Sequence, residues 1–256
     1  MNYRTAWAFA LMLVLVVAGA CGGGGDETPV APVAPAADPI DPATVGSVMG
    51  TITFEGSADG LVEEIRMNAD PVCLKEATST QTEYYVVGDD GGLGNVFIYV
   101  KEGLEGRSFP IPSDVVTLDQ RGCRYTPHVF GIHVDQTLVI VNNDPTLHNI
   151  HAMPATNQEF NTGQPIQGMK YERTFSTPEI MVPFKCDVHG WMNAYAGVLN
   201  HPYFAVTSEN GAFDISNLPP GDYVVEAWHE TMGVQTESVT VGEGATAELN
   251  FTFAIG

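Results

Sequence analysis

Lys185-Cys186-Asp187-Val188-His189-Gly190-Trp191-Met192-Asn193 is the stretch on which the reading of this chain turns. Between Cys186 and Met192 it offers a thiolate, an imidazole and a thioether, all soft ligands. Apolar strand-like runs flank it, Glu179 to Phe184 before and Ala194 to Leu199 after, so the three side chains share one tight loop. Alone, Cys-x-x-His-x-x-Met is a weak pattern, because a buried free cysteine beside an unrelated histidine satisfies it equally well. A second element upstream adds weight: the run Thr137 to Val141 leads into Asn142-Asn143-Asp144-Pro145-Thr146-Leu147-His148-Asn149-Ile150-His151. A sandwich of sheets can bring such a strand end beside the late loop and gather His148, Cys186, His189 and Met192 about one point. Two imidazoles, one thiolate and a distant thioether select copper and suit one-electron transfer, the sulfurs favouring Cu(I) and the imidazoles serving Cu(II).

Outward from this stretch the pattern is all-β. After Gly46 short alternating or β-branched runs are bounded by Gly, Pro, Asn and Asp, and no amphipathic helix exceeds two turns. Strands are predicted at 48–54, 95–100, 115–118, 130–134, 137–141, 170–175, 179–184, 194–199, 204–207, 212–215, 223–227, 236–241 and 247–253. This spacing describes sandwiches or barrels. With 27 Gly and 17 Pro the chain is rich in turns, which excludes a long helical bundle.

The 256 residues carry 10 Lys plus Arg against 31 Asp plus Glu, a net charge of -21. Nucleic acid and anionic lipid surfaces are therefore poor partners. A hydrophobic content of 44% is too high for a disordered acidic chain. Met1 to Arg4 is a short basic start, Thr5 to Ala20 is almost wholly apolar, and Ala18-Gly19-Ala20 precedes Cys21, as in a secretory leader (1–20). Without the leader, whose only charge is Arg4, the balance is 9 minus 31, or -22. Residues 21–46, with Pro29, Pro32, Pro35, Pro39 and Pro42 at regular intervals, read as an extended tether.

Several resemblances follow from these residues. Val17-Ala18-Gly19-Ala20-Cys21 resembles a bacterial lipobox, which implies that Cys21 is acylated and that membrane contact is through that lipid only. The region from Val115 to Asn200 resembles the cupredoxins, in particular the amicyanin and plastocyanin-like branch, in its loop spacing and in its His148-Asn149-Ile150-His151 sequence. The resemblance implies a Greek-key sandwich at 113–202 holding one type 1 copper through His148, Cys186, His189 and Met192. It also implies that Asn149 steadies the Cys186 loop by hydrogen bonding. Gly190 stands where that loop often has Pro, and Trp191 is expected beside an exposed edge of the His189 imidazole. Asn210-Gly211, the alternation Ala212 to Ile215 and Leu218-Pro219-Pro220-Gly221-Asp222-Tyr223 resemble the carboxypeptidase regulatory-like, prealbumin-like sandwich, placed at 203–256. Residues 47–112 form an N-terminal β region that can pair with it, and no peptidase zinc motif accompanies it.

With Cys21 acylated and Cys186 on copper, Cys73 and Cys123 remain, and a disulfide is the simplest count in an oxidising compartment. The competing use is a second metal site from Cys123 and His128. His128, His133, His151, His201 and His229 are read as satisfied or surface imidazoles, and Met153, Met169 and Met181 as core or surface residues. Of these only Met181 lies near enough in sequence to rival Met192. The function expected is that of a non-enzymatic electron carrier of the bacterial cell envelope, lipid-anchored, whose partner is a redox protein with a basic docking patch. A periplasmic copper-binding or delivery protein and a non-redox surface module are the alternatives.

Overall fold

The computed structural model describes residues 39–255, so the leader, Cys21 and most of the tether lie outside the described residues. Elements follow in the order β1 (Gly46–Glu55), α1 (Pro71–Glu76), β2 (Phe97–Glu102), β3 (Val116–Gln120), β4 (Tyr125–Thr126), β5 (Val129–His133), β6 (Leu138–Asn142), β7 (His148–Ala152), β8 (Phe160–Gln164), β9 (Lys170–Arg173), β10 (Glu179–Lys185) and β11 (Asn193–Leu199). The remainder are β12 (Phe204–Val206), β13 (Ala212–Leu218), β14 (Gly221–His229), β15 (Gly233–Val241), β16 (Thr246–Glu248) and β17 (Phe251–Ala254). Among the described residues no helix is long and apolar enough to cross a membrane.

The strands form four sheets, ordered β13-β1-β16 with β17 also on β1, β12-β2-β14-β15, β5-β11-β10-β7-β8 and β4-β3-β6-β9. Three apolar layers separate them. The first lies between the first two sheets, with Val48, Ile52 and Phe54 of β1 facing Ile98, Val100, Val225 and Ala227. The last lies between the other two, where Leu118, Ile140, Ile150, Val182, Phe184 and Ala196 meet. Alternate residues of β1 point inward, as expected for a strand with one buried face. β2 instead buries both: Ile98 and Val100 enter the first layer, while Phe97 and Tyr99 face the third sheet. Its unbroken apolar run Phe97 to Val100 is the sequence trace of that double burial.

The middle layer joins the two sandwiches and depends on glycine. Gly131 of β5 lies opposite Gly197 of β11, and the stacked rings of Phe97 and Phe204, 5.6 Å apart, rest on this pad. A Cβ on Gly131 would lie 2.1 Å from the Phe204 ring, and one on Gly197 2.3 Å from Phe97. No side chain fits at either position without displacing a ring.

The first two strands share sheets with the last six. β1 pairs antiparallel with β13 and parallel with β16 and β17, and β2 sits between β12 and β14. The single strand predicted at 247–253 is therefore two. The chain bulges at Leu249, whose carbonyl passes over Gly50 where a Cβ would stand 1.6 Å away, and Asn250 Oδ1 accepts the Thr51 N–H at 2.8 Å.

Four elements lie outside the predicted strands: the two-residue β4, β7, β8 and α1. β8, Phe-Asn-Thr-Gly-Gln, is a polar edge strand held only by β7. α1 has six residues, begins at the cap Asp70 with Pro71 in its first turn, and carries Cys73 into the last apolar layer. Ile65 and Met67 enter the same layer. The middle of the segment between β1 and β2, from Ile65 to Ala77, is thus a strap laid over the sandwich of β3 to β11. Arg124 fastens the chain just beyond it, pairing with Glu83 at 2.9 Å.

Candidate metal centre

β7 and β10 are neighbours in one sheet with Lys185 opposite His151. Continuing that register sets Asp187 across from Asn149 and brings the start of β7 to the loop that follows β10. Within that loop Cys186 N–H donates to the Met192 carbonyl at 3.0 Å, Met192 N–H to the His189 carbonyl at 2.9 Å, and His189 N–H to Cys186 Sγ at 3.4 Å. The loop is thereby closed on itself, with Cys186, His189 and Met192 all buried. Asn149 Oδ1 accepts from the Asp187 N–H at 2.7 Å and lies 3.3 Å from Cys186 Sγ.

His148 is oriented from the other side. Asn142 folds the preceding turn, accepting from Asp144 N–H at 2.9 Å and donating to the Thr146 carbonyl at 2.8 Å. Asp144 accepts the N–H groups of Gly122 and Cys123, both at 2.7 Å, and faces His148 Nε2 at 2.8 Å. Burial opposes ionisation of Asp144, but these donors outweigh it and hold its carboxyl below the ordinary range. The His189 ring has the same arrangement, with Asp70 Oδ2 3.1 Å from its Nε2.

A carboxylate only accepts, so each imidazole carries its hydrogen on Nε2 and turns a bare Nδ1 to the other ring. The two Nδ1 atoms are 2.9 Å apart. Two lone pairs at that distance repel, and a proton or a metal ion belongs between them. Cys186 Sγ is 3.9 Å from the His189 Nδ1. Burial pushes its thiol up, yet its contacts with the two imidazoles and with the Asn149 and His189 backbone outweigh this and bring it down to about 5, a thiolate at neutral pH. Donor atoms of His148, Cys186 and His189 lie within 4.8 Å of one another. Bonds from a zinc-sized ion to nitrogen and sulfur are about 2.0–2.3 Å, so one ion reaches all three.

Met192 is 1% exposed and packs in the same layer as Cys186. Met181 lies in the middle layer against Phe97 and Gly197 instead, on the far face of its sheet. Cys73 and Cys123 form a disulfide, which removes Cys123 from any second site with His128. His128 instead bonds the Asn193 carbonyl through Nδ1 at 3.1 Å and Glu230 through Nε2. The two other three-residue groups, Asp70 with Cys73 and His189, and Cys123 with Asp144 and His148, take their sulfurs from that disulfide and offer no thiolate. His151 bridges Asp187 and Glu159 at the surface.

One expectation fails. The His189 edge is not exposed: the residue is 3% accessible, its Nε2 is covered by Asp70, and Cys73 Sγ lies 3.5 Å away. Trp191 stands 5.1 Å from the His189 ring and donates its indole N–H to the Cys123 carbonyl at 3.0 Å, which seals the same side. Asp144 and Asp70 were missed as site residues. Asp144 had a visible signal, four residues before His148 in one turn. Asp70 showed only an Asp-Pro helix start, 119 residues from its imidazole partner.

Comparison with curated proteins finds no match. The family model of the carboxypeptidase regulatory-like domain matches residues 195–254. Among solved structures, the copper-containing nitrite reductase of Thermus scotoductus SA-01 aligns over 40% of this chain and 25% of its own, at 22% identity and a TM-score of 0.32. A Cu(I) amicyanin point mutant aligns over 40% of this chain and 97% of its own, at 16% identity and a TM-score of 0.30. The chain thus spans a quarter of the reductase and nearly all of the amicyanin.

Proposed function

We propose that the chain is a type 1 copper protein that passes single electrons outside the cytoplasm, with one ion held by His148, Cys186 and His189 and approached by the Met192 thioether. The observation that carries this reading is the pair of carboxylate-backed imidazoles turned Nδ1 to Nδ1 at 2.9 Å beside a buried thiolate. Bound copper supplies a one-electron couple there. The chain's part is to hold the donors still as the charge changes, which the Asn149, Asp144 and Asp70 hydrogen bonds do. All four side chains are buried, which favours a relay over an enzyme. The same burial disfavours delivery, since handing over an ion needs accessible ligands. A disulfide suits an oxidising compartment and agrees with a secreted, envelope-anchored chain.

Loading the copper-free full chain with Cu(II) tests the centre. One equivalent should bind and produce the intense visible absorption of copper on thiolate. Weak colour, or several equivalents bound alike, overturns the reading.

Because the His189 edge is covered, docking falls on the surface around Asp70. There Leu74, Leu147 and Val188 are exposed, each adjacent in sequence to a residue of the Cys73, Thr146–His148 or His189 set. With the chain's net charge of -21, the partner that fits is a redox protein with a basic rim about an apolar centre. Electron exchange with a small basic cytochrome should be faster than with an acidic one and should slow as salt rises. Equal, salt-independent rates would remove the charge argument.

A further inference from the structure

Asp70 stands on the strap, far in sequence from the sandwich whose histidine it touches. Its Oδ1 accepts the Val72 N–H at 2.8 Å as the cap of α1, and its Oδ2 accepts the Thr146 hydroxyl at 2.9 Å and faces His189 Nε2 at 3.1 Å. Three residues on, Cys73 is bonded to Cys123, and Cys123 N–H in turn donates to Asp144, the carboxylate behind His148. The carboxylate is therefore fixed on every side, and the strap that carries it is covalently tied to the other half of the site.

We infer that Asp70 is a positioning residue of the copper centre, which fixes the His189 tautomer and, by its charge, favours Cu(II) over Cu(I). The inference rests on the copper reading above. Two consequences of the contact support it. An acceptor at Nε2 keeps the hydrogen there and leaves Nδ1 bare for the ion. A negative charge hydrogen-bonded to a ligand raises that ligand's basicity, and the more highly charged ion gains more from it. Asp144 does the same for His148, so both imidazoles are backed by carboxylates and none is left to water.

Asp70→Asn in the copper-loaded full chain separates charge from shape, because Asn caps a helix as well as Asp does. With the amide oxygen kept on the Val72 N–H, the amide nitrogen faces the Nε2 hydrogen and cannot accept it, and the charge is gone. The preference for Cu(II) over Cu(I) should fall about tenfold or more, a rise in reduction potential of about 59 mV per tenfold. Thr146→Val, which removes one donor from the carboxylate and keeps its charge, should leave the potential nearly unchanged. An unchanged potential in Asp70→Asn, or equal rises in both variants, overturns the inference. Should Asp70→Asn not fold, Asp70→Ser, also a good cap, gives the same readout. An unsubstituted chain without a Cys186-dependent copper colour would instead overturn the copper reading itself.

Discussion

Cys186→Ser is expected to abolish the coloured copper centre and leave a folded chain. Sulfur is the source of the colour and of the preference for copper, and a serine hydroxyl stays protonated where the Cys186 thiol, at about 5, does not. Two of the three contacts that close the loop, Cys186 N–H to Met192 and Met192 N–H to His189, do not involve the sulfur. The hydroxyl, unlike the thiolate, can donate to Asn149 Oδ1, which lies 3.3 Å from Sγ. The loss of stability should therefore be small, about 1 kcal/mol, the scale of a single altered buried hydrogen bond. Visible absorption after adding Cu(II), with a thermal melt beside it, reads both halves of the expectation. Retained colour would mean that the ligand set is wrong, and an unfolded variant would mean that the sulfur is structural.

Removing the disulfide should have the largest effect on stability. Cys73 and Cys123 are 50 residues apart, and closing such a loop is worth about 4 kcal/mol in the chain-entropy account. In a chain of this size that corresponds to a melting point lower by about 8–16 °C. Cys73→Ala with Cys123→Ala should show that fall. It should also loosen α1 and with it Asp70, so that the His189 edge opens to water and copper leaves faster. Stability measured by denaturant and copper release to a chelator should change together. A variant that melts lower while releasing copper at the original rate would show that the strap stays seated without its bond.

The strands that were legible each kept one physical signature, whereas the two-residue β4, the polar β8 and the short β7 did not. The alternation of β1 and the double-sided apolar run of β2 survive as written, and the loop from Cys186 to Met192 announced its chemistry by residue type alone. His148 could be placed beside it because a strand end followed by a turn leaves few other positions. What stayed hidden was whatever depended on partners distant in sequence and chosen by shape. The glycine pad of Gly131 and Gly197 looks like ordinary strand interruption until the rings of Phe204 and Phe97 are set on it. The strap is a polar, turn-rich stretch without a strong period, so nothing local says which face it covers. Its position over His189 reverses the expectation of an open imidazole edge, and that reversal comes from tertiary contact alone.

The placement of β1 and β2 among the final strands bears on how the chain is made. Ser47 meets Thr246 across 199 residues of sequence, so the earliest strands leave the ribosome long before their neighbours exist. Contacts this distant form slowly, whereas β3 to β11 pair only with one another. The half built of β3 to β11 is thus the part that can pair first, and the two chain ends act as a clasp that fastens last. Until it does, β1 and β2 present bare, pairing-competent edges, the feature by which unfinished β proteins stick to one another. A chain interrupted before β13 keeps those edges permanently. Its hazard is therefore aggregation through those edges.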